Sequence, residues 1–311
     1  MVIKEINFES ANGSSRIRGW FLEPDSPPVG LVQIVHGLGC HSGRYDNMAR
    51  RLCRAGFVVC ADDHAGHGKT AAADDTFGYP GDKGWQTFVE DEHRLRQIVA
   101  GEYPDLPFFM FGHSMGSMIC RIYAARYPDD GLQALALCGI CQQNAGADAL
   151  LRSTGMEALL TEGKGRDLKE GARYGAVLMA AANDRFPGES DQAWISRDEG
   201  VLRDYLADPL NNHVGNSLQM IYDFAQLYRH STDPRNDAAI SAGLPLLLMA
   251  GDQDPCGNYG EGVYHAANTL VMTGHRVRTL VYSGYRHEVH NHPDLREKIA
   301  EELISFFRSA L

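Results

Sequence analysis

Apolar and polar residues alternate with a period of two over positions 2–9 and again over 15–22, with Asn12-Gly13 between them. That period puts successive side chains on opposite faces of a strand, and Asn-Gly tolerates the positive φ of a tight turn, so the pattern predicts a β-hairpin. The runs at 30–35, 57–61, 108–111, 132–139 and 244–250 are instead almost continuously apolar. A strand apolar on both faces belongs in a mostly parallel sheet covered on both sides. A further strand is read at 277–282. Between the strands, apolar residues recur at helical spacing, as with Tyr45, Met48, Ala49, Leu52 and Cys53 inside 44–56. Helices are likewise predicted at 85–103, 264–273 and 293–311. Strands alternating with helices define an α/β protein, with the opening hairpin supplying antiparallel edge strands.

The alternation lapses between 141 and 240, where no clear strand occurs. Helices are predicted there at 167–182 and at 216–228, the latter from Leu218, Ile221, Phe224, Ala225 and Tyr228. Gly163, Gly165, Pro187, Gly188 and Pro209 interrupt the region. The expected organisation is a catalytic domain from 1–140 and 241–311, with a helical cap inserted at 141–240.

Composition narrows the partners. The chain of 311 residues carries a formal charge of −11, which argues against nucleic acid and anionic membrane surfaces. No run approaches the roughly 20 apolar residues of a membrane span, so stable membrane insertion is not expected. The opening residues are charged and alternating, without the apolar centre of a secretory signal. The seven cysteines follow no paired spacing. Cys53, Cys60, Cys120 and Cys138 read as small core residues, and Cys138-Gly-Ile-Cys141 lacks a second pair that would suggest zinc. A cytoplasmic location fits best, and the oligomeric state is not legible.

Candidate chemistry centres on Gly112-His113-Ser114-Met115-Gly116, which follows the apolar run at 108–111 and precedes Met115, Met118, Ile119, Ile122 and Ala125 at helical spacing. Strand, G-x-S-x-G and helix together make a nucleophile elbow, in which a sharp turn projects the serine at a helix amino terminus. A serine nucleophile needs a base, an orienting acid and an oxyanion hole. In an open α/β sheet they belong beyond the carboxyl ends of strands. Asp252 and Asp254 compete for the acid after the run at 244–250. The longer reach from the strand end favours Asp254, though both also suit a solvated turn. His287, beyond the strand at 277–282, is the candidate base, while His290 and His292 read as surface or capping residues near the last helix. Backbone N–H groups of Leu38, in His36-Gly37-Leu38-Gly39, and of Met115 would form the oxyanion hole. Asp63, His64 and His67 form a compact D-H-x-x-H string, for which hydrogen bonding within the fold is expected over metal binding.

Four segments resemble the monoglyceride lipase and lysophospholipase branch of the α/β-hydrolases, also called serine aminopeptidase-like hydrolases. They are the string from His36 to Tyr45, Asp63 to Thr70, Gly112 to Ser117, and Gly251-Asp252-Gln253-Asp254. The resemblance covers roughly 1–140 and 241–311. It implies an α/β-hydrolase fold with a helical cap and hydrolysis of carboxylic esters with one long acyl chain, without a cofactor; the expected substrate is a small-molecule acyl ester, monoacylglycerol-like or lysophospholipid-like, and no metal is expected. Two departures stand out. The family usually has Glu where this chain has Cys40, a change expected to tune the site. The inserted region is polar and glycine-interrupted, and its most apolar stretch, 177–182, can equally face the catalytic domain, which disfavours membrane docking.

Other readings are an amidase or aminopeptidase, which needs cap acids such as Glu157, Glu162, Glu189 or Asp191 to bind an amine, and a non-catalytic ligand-binding member of the fold. A serine at 114 excludes dehalogenases, which use aspartate. His36, Gly37, His113, Trp194 and Phe224 are candidate substrate contacts. Trp194, Tyr205, Phe224 and Tyr228 also suit core packing.

Overall fold

The computed structural model describes residues 1–211 and 214–311. Among them one sheet holds β1 (Val2–Glu9), β2 (Arg16–Glu23), β3 (Gly30–Val35), β4 (Phe57–Asp63), β5 (Phe108–His113), β6 (Leu132–Cys138), β7 (Pro245–Gly251) and β8 (Arg276–Tyr282). Their order across the sheet is β1-β2-β4-β3-β5-β6-β7-β8. The β1–β2 and β2–β4 pairs are antiparallel, and every later pair is parallel. The hairpin therefore exists, but of its two strands β1 alone lies at an edge of the sheet. β2 is internal because its second side pairs with β4.

The helices are α1 (Asp46–Arg54), α2 (Gly68–Asp74), α3 (Gln86–Glu102), α4 (Met115–Arg126), α5 (Ala145–Arg152), α6 (Met156–Thr161), α7 (Leu168–Met179), α8 (Glu199–Ala207), α9 (Leu218–Ser231), α10 (Pro234–Ala239), α11 (Glu261–Met272) and α12 (Arg296–Arg308). Alternating residues of β3 divide the core between two faces. Leu31 and Val35 pack with α3, α4, α9 and α11, while Val32 and Ile34 pack with α1 and α12. At roughly 25 cal/mol per Å² of apolar surface, this two-sided burial is the main stabilising contribution.

α4 departs from the single apolar stripe read in the sequence: every residue from Met115 to Ala124 is buried. One side lies on the sheet, and α9 and α10 cover the other. Arg121 survives there because Asp237 of α10 takes its guanidinium through bonds of 2.7 and 2.6 Å. α2, α5, α6, α8 and α10 were not legible, and α2, α6 and α10, of 7, 6 and 6 residues, are too short to show periodicity. α5–α10 all lie between β6 and β7. No helix among the described residues is long and apolar enough to cross a membrane.

Candidate active site

Ser114 occupies the turn from β5 into α4 at φ 55°, ψ −122°. A non-glycine residue held there stores about 1–3 kcal/mol of strain and persists only where its surroundings enforce it. The enforcement is visible. Ser114 N–H donates to the Cys138 carbonyl at 3.0 Å, and its own carbonyl accepts from Ser117 N–H and Oγ at 2.8 and 2.6 Å. The flanking glycines serve close approach, since neither has positive φ. A methyl at Gly116 would lie 2.1 Å from the Val35 carbonyl oxygen, and one at Gly112 would lie 2.4 Å from that of Gly116. Gly37 packs on the serine itself, where a methyl would meet its Cβ at 2.9 Å.

Beyond β7, Asp254 is fully buried and both its oxygens are engaged. Oδ1 accepts Cys256 N–H at 2.9 Å, and Oδ2 lies 2.9 Å from His287 Nδ1. Asp252 instead holds the next turn, accepting from Ser283 Oγ and Gly284 N–H at 2.8 and 2.6 Å. The loops carrying Asp254 and His287 are joined by backbone bonds from Asp252 N–H to the Tyr282 carbonyl and from Gln253 N–H to that of Tyr285. Gly251 permits the approach, because a methyl there would meet the Tyr285 oxygen at 1.9 Å.

His287 is buried, with its ring 5.0 Å from that of Trp194 and 4.6 Å from that of His113. Burial disfavours its charged form, but the charge and hydrogen bond of Asp254 outweigh burial and raise its pKa above the ordinary 6.5. With Nδ1 committed to Asp254, Nε2 is the ring atom left for proton transfer. Ser114 and His287 converge on one glycine: Ser114 bonds to the carbonyl of Cys138, and the next residue, Gly139, lies against the His287 ring.

His36 is fully buried. Its Nε2 accepts His64 N–H at 3.0 Å, so Nδ1 carries the proton and donates to the Gly37 carbonyl at 2.8 Å. The imidazole thereby shapes the loop that ends in Leu38. Met115 opens α4, whose amino-terminal N–H groups lack a side-chain cap.

A cavity of about 420 Å³ opens over Ser114. Leu38, Trp194 and Phe224 line it, whereas His36, Gly37 and His113 do not. Leu178, Met179, Ala181 and Ala182 supply apolar wall, so the 177–182 stretch faces the site. Tyr205 is also lining, while Tyr228 packs away from the cavity and bonds Asp148. None of Glu157, Glu162, Glu189 and Asp191 lines it; the acid that does is Asp184, beside Arg185. Sequence reasoning had no signal for these two, or for Asn144 and Asn258.

His290 requires a correction. It is buried, stacked on Tyr45 at 4.9 Å, because the loop after His287 turns inward before α12. His292 is buried as well, and its carbonyl accepts Leu295 and Arg296 N–H at the start of α12. Asp63, His64 and His67 do not converge: Asp63 accepts from Ser42 N–H, Ser42 Oγ and Lys69 N–H at 2.8, 2.6 and 2.7 Å. A different trio does. His64 Nδ1 lies 3.5 Å from Asp62 Oδ1 and 3.4 Å from Glu92 Oε1, all fully buried. His64 Nε2 faces the His36 carbonyl, which makes Nδ1 an acceptor. Burial raises both acids, Asp62 and Glu92, which favours their protonated forms, and His64 Nδ1, both Asp62 oxygens and Glu92 Oε1 make no hydrogen bond.

A strained serine at a strand-to-helix turn, with a buried acid–histidine pair beyond later strands of the same parallel sheet, defines the α/β-hydrolase class. A model of the family described as serine aminopeptidase, S33, matches residues 26–294, and the chain belongs to this family. It is similar to a monoacylglycerol lipase of Mycolicibacterium smegmatis, 30% identical over 93% of this chain and 91% of that protein. The human monoglyceride lipase is 26% identical over 91% of this chain and 84% of its own. A highly thermostable carboxyl esterase from Bacillus coagulans, solved in complex with glycerol, superposes with a TM-score of 0.95 at 44% identity, covering 100% and 99% of the two chains. The protein is a carboxylic-ester hydrolase.

Proposed function

We propose that Ser114, His287 and Asp254 form a catalytic triad that hydrolyses esters carrying one acyl chain, monoacylglycerol-like or lysophospholipid-like. The observation that carries this reading is the cavity over Ser114, lined both by the apolar groups of Leu178, Met179, Ala182 and Phe224 and by the polar groups of Asn144, Asn258 and Tyr259. An acyl chain suits the first and a small hydroxylated head group the second. The glycerol in the Bacillus coagulans esterase and the names of the lipase relatives support the same class.

In this mechanism Ser114 Oγ attacks the ester carbonyl carbon while His287 Nε2 takes its proton. Asp254 holds the imidazole and stabilises its charged form. The Leu38 and Met115 N–H groups hold the tetrahedral oxyanion. The carbonyl re-forms, the C–O bond to the alcohol breaks, and His287 protonates the departing alcohol. Water, deprotonated by His287, then attacks the acyl carbonyl carbon, the bond to Ser114 Oγ breaks to release the carboxylic acid, and His287 returns the proton to Oγ. No cofactor or metal is needed for these steps. Residues 141–240 act as the cap, since α7 and α9 supply the apolar wall.

The test is fluorophosphonate labelling of the wild type and Ser114→Ala, with hydrolysis of monoacylglycerols and lysophospholipids of increasing chain length beside aminoacyl amides. Labelling lost in Ser114→Ala, with preference for one-chain esters, is expected. Absence of label at Ser114 overturns the triad. Amide preference would favour the aminopeptidase reading, for which Asp184 in the cavity wall is the relevant acid.

A further inference from the structure

Arg44 follows the loop that carries Leu38, and Glu288 follows His287 directly. Their side chains are only 8% and 5% exposed and form an ion pair at 2.5 Å. Neither loop needs this pair to exist as a loop. His287 and Glu288 N–H already bond to the Trp194 and Ile195 carbonyls at 3.3 and 2.9 Å, and His41 already caps the turn holding Arg44. The pair instead joins two segments 244 residues apart in sequence. Its desolvation is costly, and such a cost is repaid only where geometry is well defined. Arg44 also lies over the Tyr205 ring at 4.9 Å, and Tyr205 OH donates to the Gly39 carbonyl at 3.4 Å. Cys40, beside Arg44, supplies no competing anion, because burial pushes its thiol up to about 12.

We propose that Glu288 is a positioning residue: through Arg44 it fixes the loop of the proposed base, His287, against the loop of the proposed oxyanion donor, Leu38. This rests on the triad and oxyanion assignment above. The Ser114 Oγ that His287 deprotonates attacks the same carbonyl group whose oxygen the N–H donors hold, so the two loops must hold a common register to about 0.5 Å. A carboxylate fixed next to His287 also adds to the field of Asp254. His287 faces Asp254, Cys141, Glu288 and His113, and Glu288 in turn faces Arg44, His290 and Asn291.

The experiment compares wild type, Glu288→Gln, and Glu288→Gln with Cys40→Glu, which returns a carboxylate to the same guanidinium from the other loop. Expected for Glu288→Gln is a kcat about 10–100-fold lower with KM within about threefold, and slower fluorophosphonate labelling of Ser114. The acid limb of its pH profile should move to lower pH, since a charge favouring imidazolium is gone. Relocation of the carboxylate should recover about tenfold in kcat. A folded Glu288→Gln with wild-type kcat and pH limb, differing only in melting temperature, overturns the proposal. If Glu288→Gln does not fold, Arg44→Lys keeps the charge and loses the planar fork, and an unchanged kcat in that variant overturns the proposal equally. A wild type that is not labelled at Ser114 would sink the triad itself, a separate outcome from a labelled wild type with an unaffected Glu288→Gln.

Discussion

Gly116→Ala puts the reading of the elbow at greatest risk. Gly116 is the second residue of α4, and the added methyl would lie 2.1 Å from the Val35 carbonyl oxygen and 2.6 Å from that of His36. Ordinary contact begins near 3.4 Å, so α4 and the end of β3 must part by about 1 Å. Both neighbours are buried backbone, at the last residue of β3 and the residue after it, where no side chain can swing aside. Met115 travels with α4 and Leu38 with the loop after β3, so the proposed oxyanion donors move apart by a similar amount. A misplacement of about 1 Å costs about 10²-fold in rate, and overpacking costs about 1–3 kcal/mol of stability. The assay is kcat/KM on a one-chain ester, the fluorophosphonate labelling rate and a urea unfolding curve. Gly101→Ala is the control: it lies in α3, and its methyl would meet nothing within 4 Å. That variant should gain up to about 1 kcal/mol in stability and keep its turnover. Gly116→Ala within about threefold of wild-type kcat/KM, and as stable as wild type, would refute the argument that close backbone approach is what the glycine provides.

Three further outcomes are expected. Asp254→Asn should lose about 10³–10⁴-fold in kcat and shift the acid limb of the pH profile downward, because His287 loses the partner that raises its pKa above 6.5; Asp252→Asn, which touches only the turn at Ser283 and Gly284, should stay within about threefold. Glu92, raised by burial to about 8, binds its proton more tightly folded than unfolded, so stability should fall as pH rises from the ordinary carboxylate range near 4.5 to about 8; Glu92→Gln should flatten that decline in melting temperature, and an unchanged slope would contradict the protonated-acid account. Leu178→Trp should fill the apolar part of the cavity and move preference toward shorter acyl chains, read as kcat/KM against chain length, with little effect on a short ester.

The apolar runs of β3, β5, β6 and β7 were legible because a strand buried on both faces leaves no position for a polar residue that must be solvated. The order of Ser114, Asp254 and His287 along the chain was legible for a related reason: each follows a strand, and the loops at the carboxyl ends of parallel strands meet. Between Asp252 and Asp254 the sequence offered only reach. The carboxylate hydrogen bonds, of Asp252 with Gly284 N–H and of Asp254 with His287 Nδ1, show which acid the folded loops bury against the imidazole. The fate of the 177–182 stretch also depended on tertiary packing, since an apolar helix end looks the same whether it meets a membrane, a core or a cavity. His290, Arg44 with Glu288, and the Asp62, His64 and Glu92 trio lay beyond pattern reading altogether. Periodicity reports how one element meets its surroundings. A buried polar group depends on a partner brought from a distant part of the chain, and only the folded arrangement of loops and strands supplies that partner.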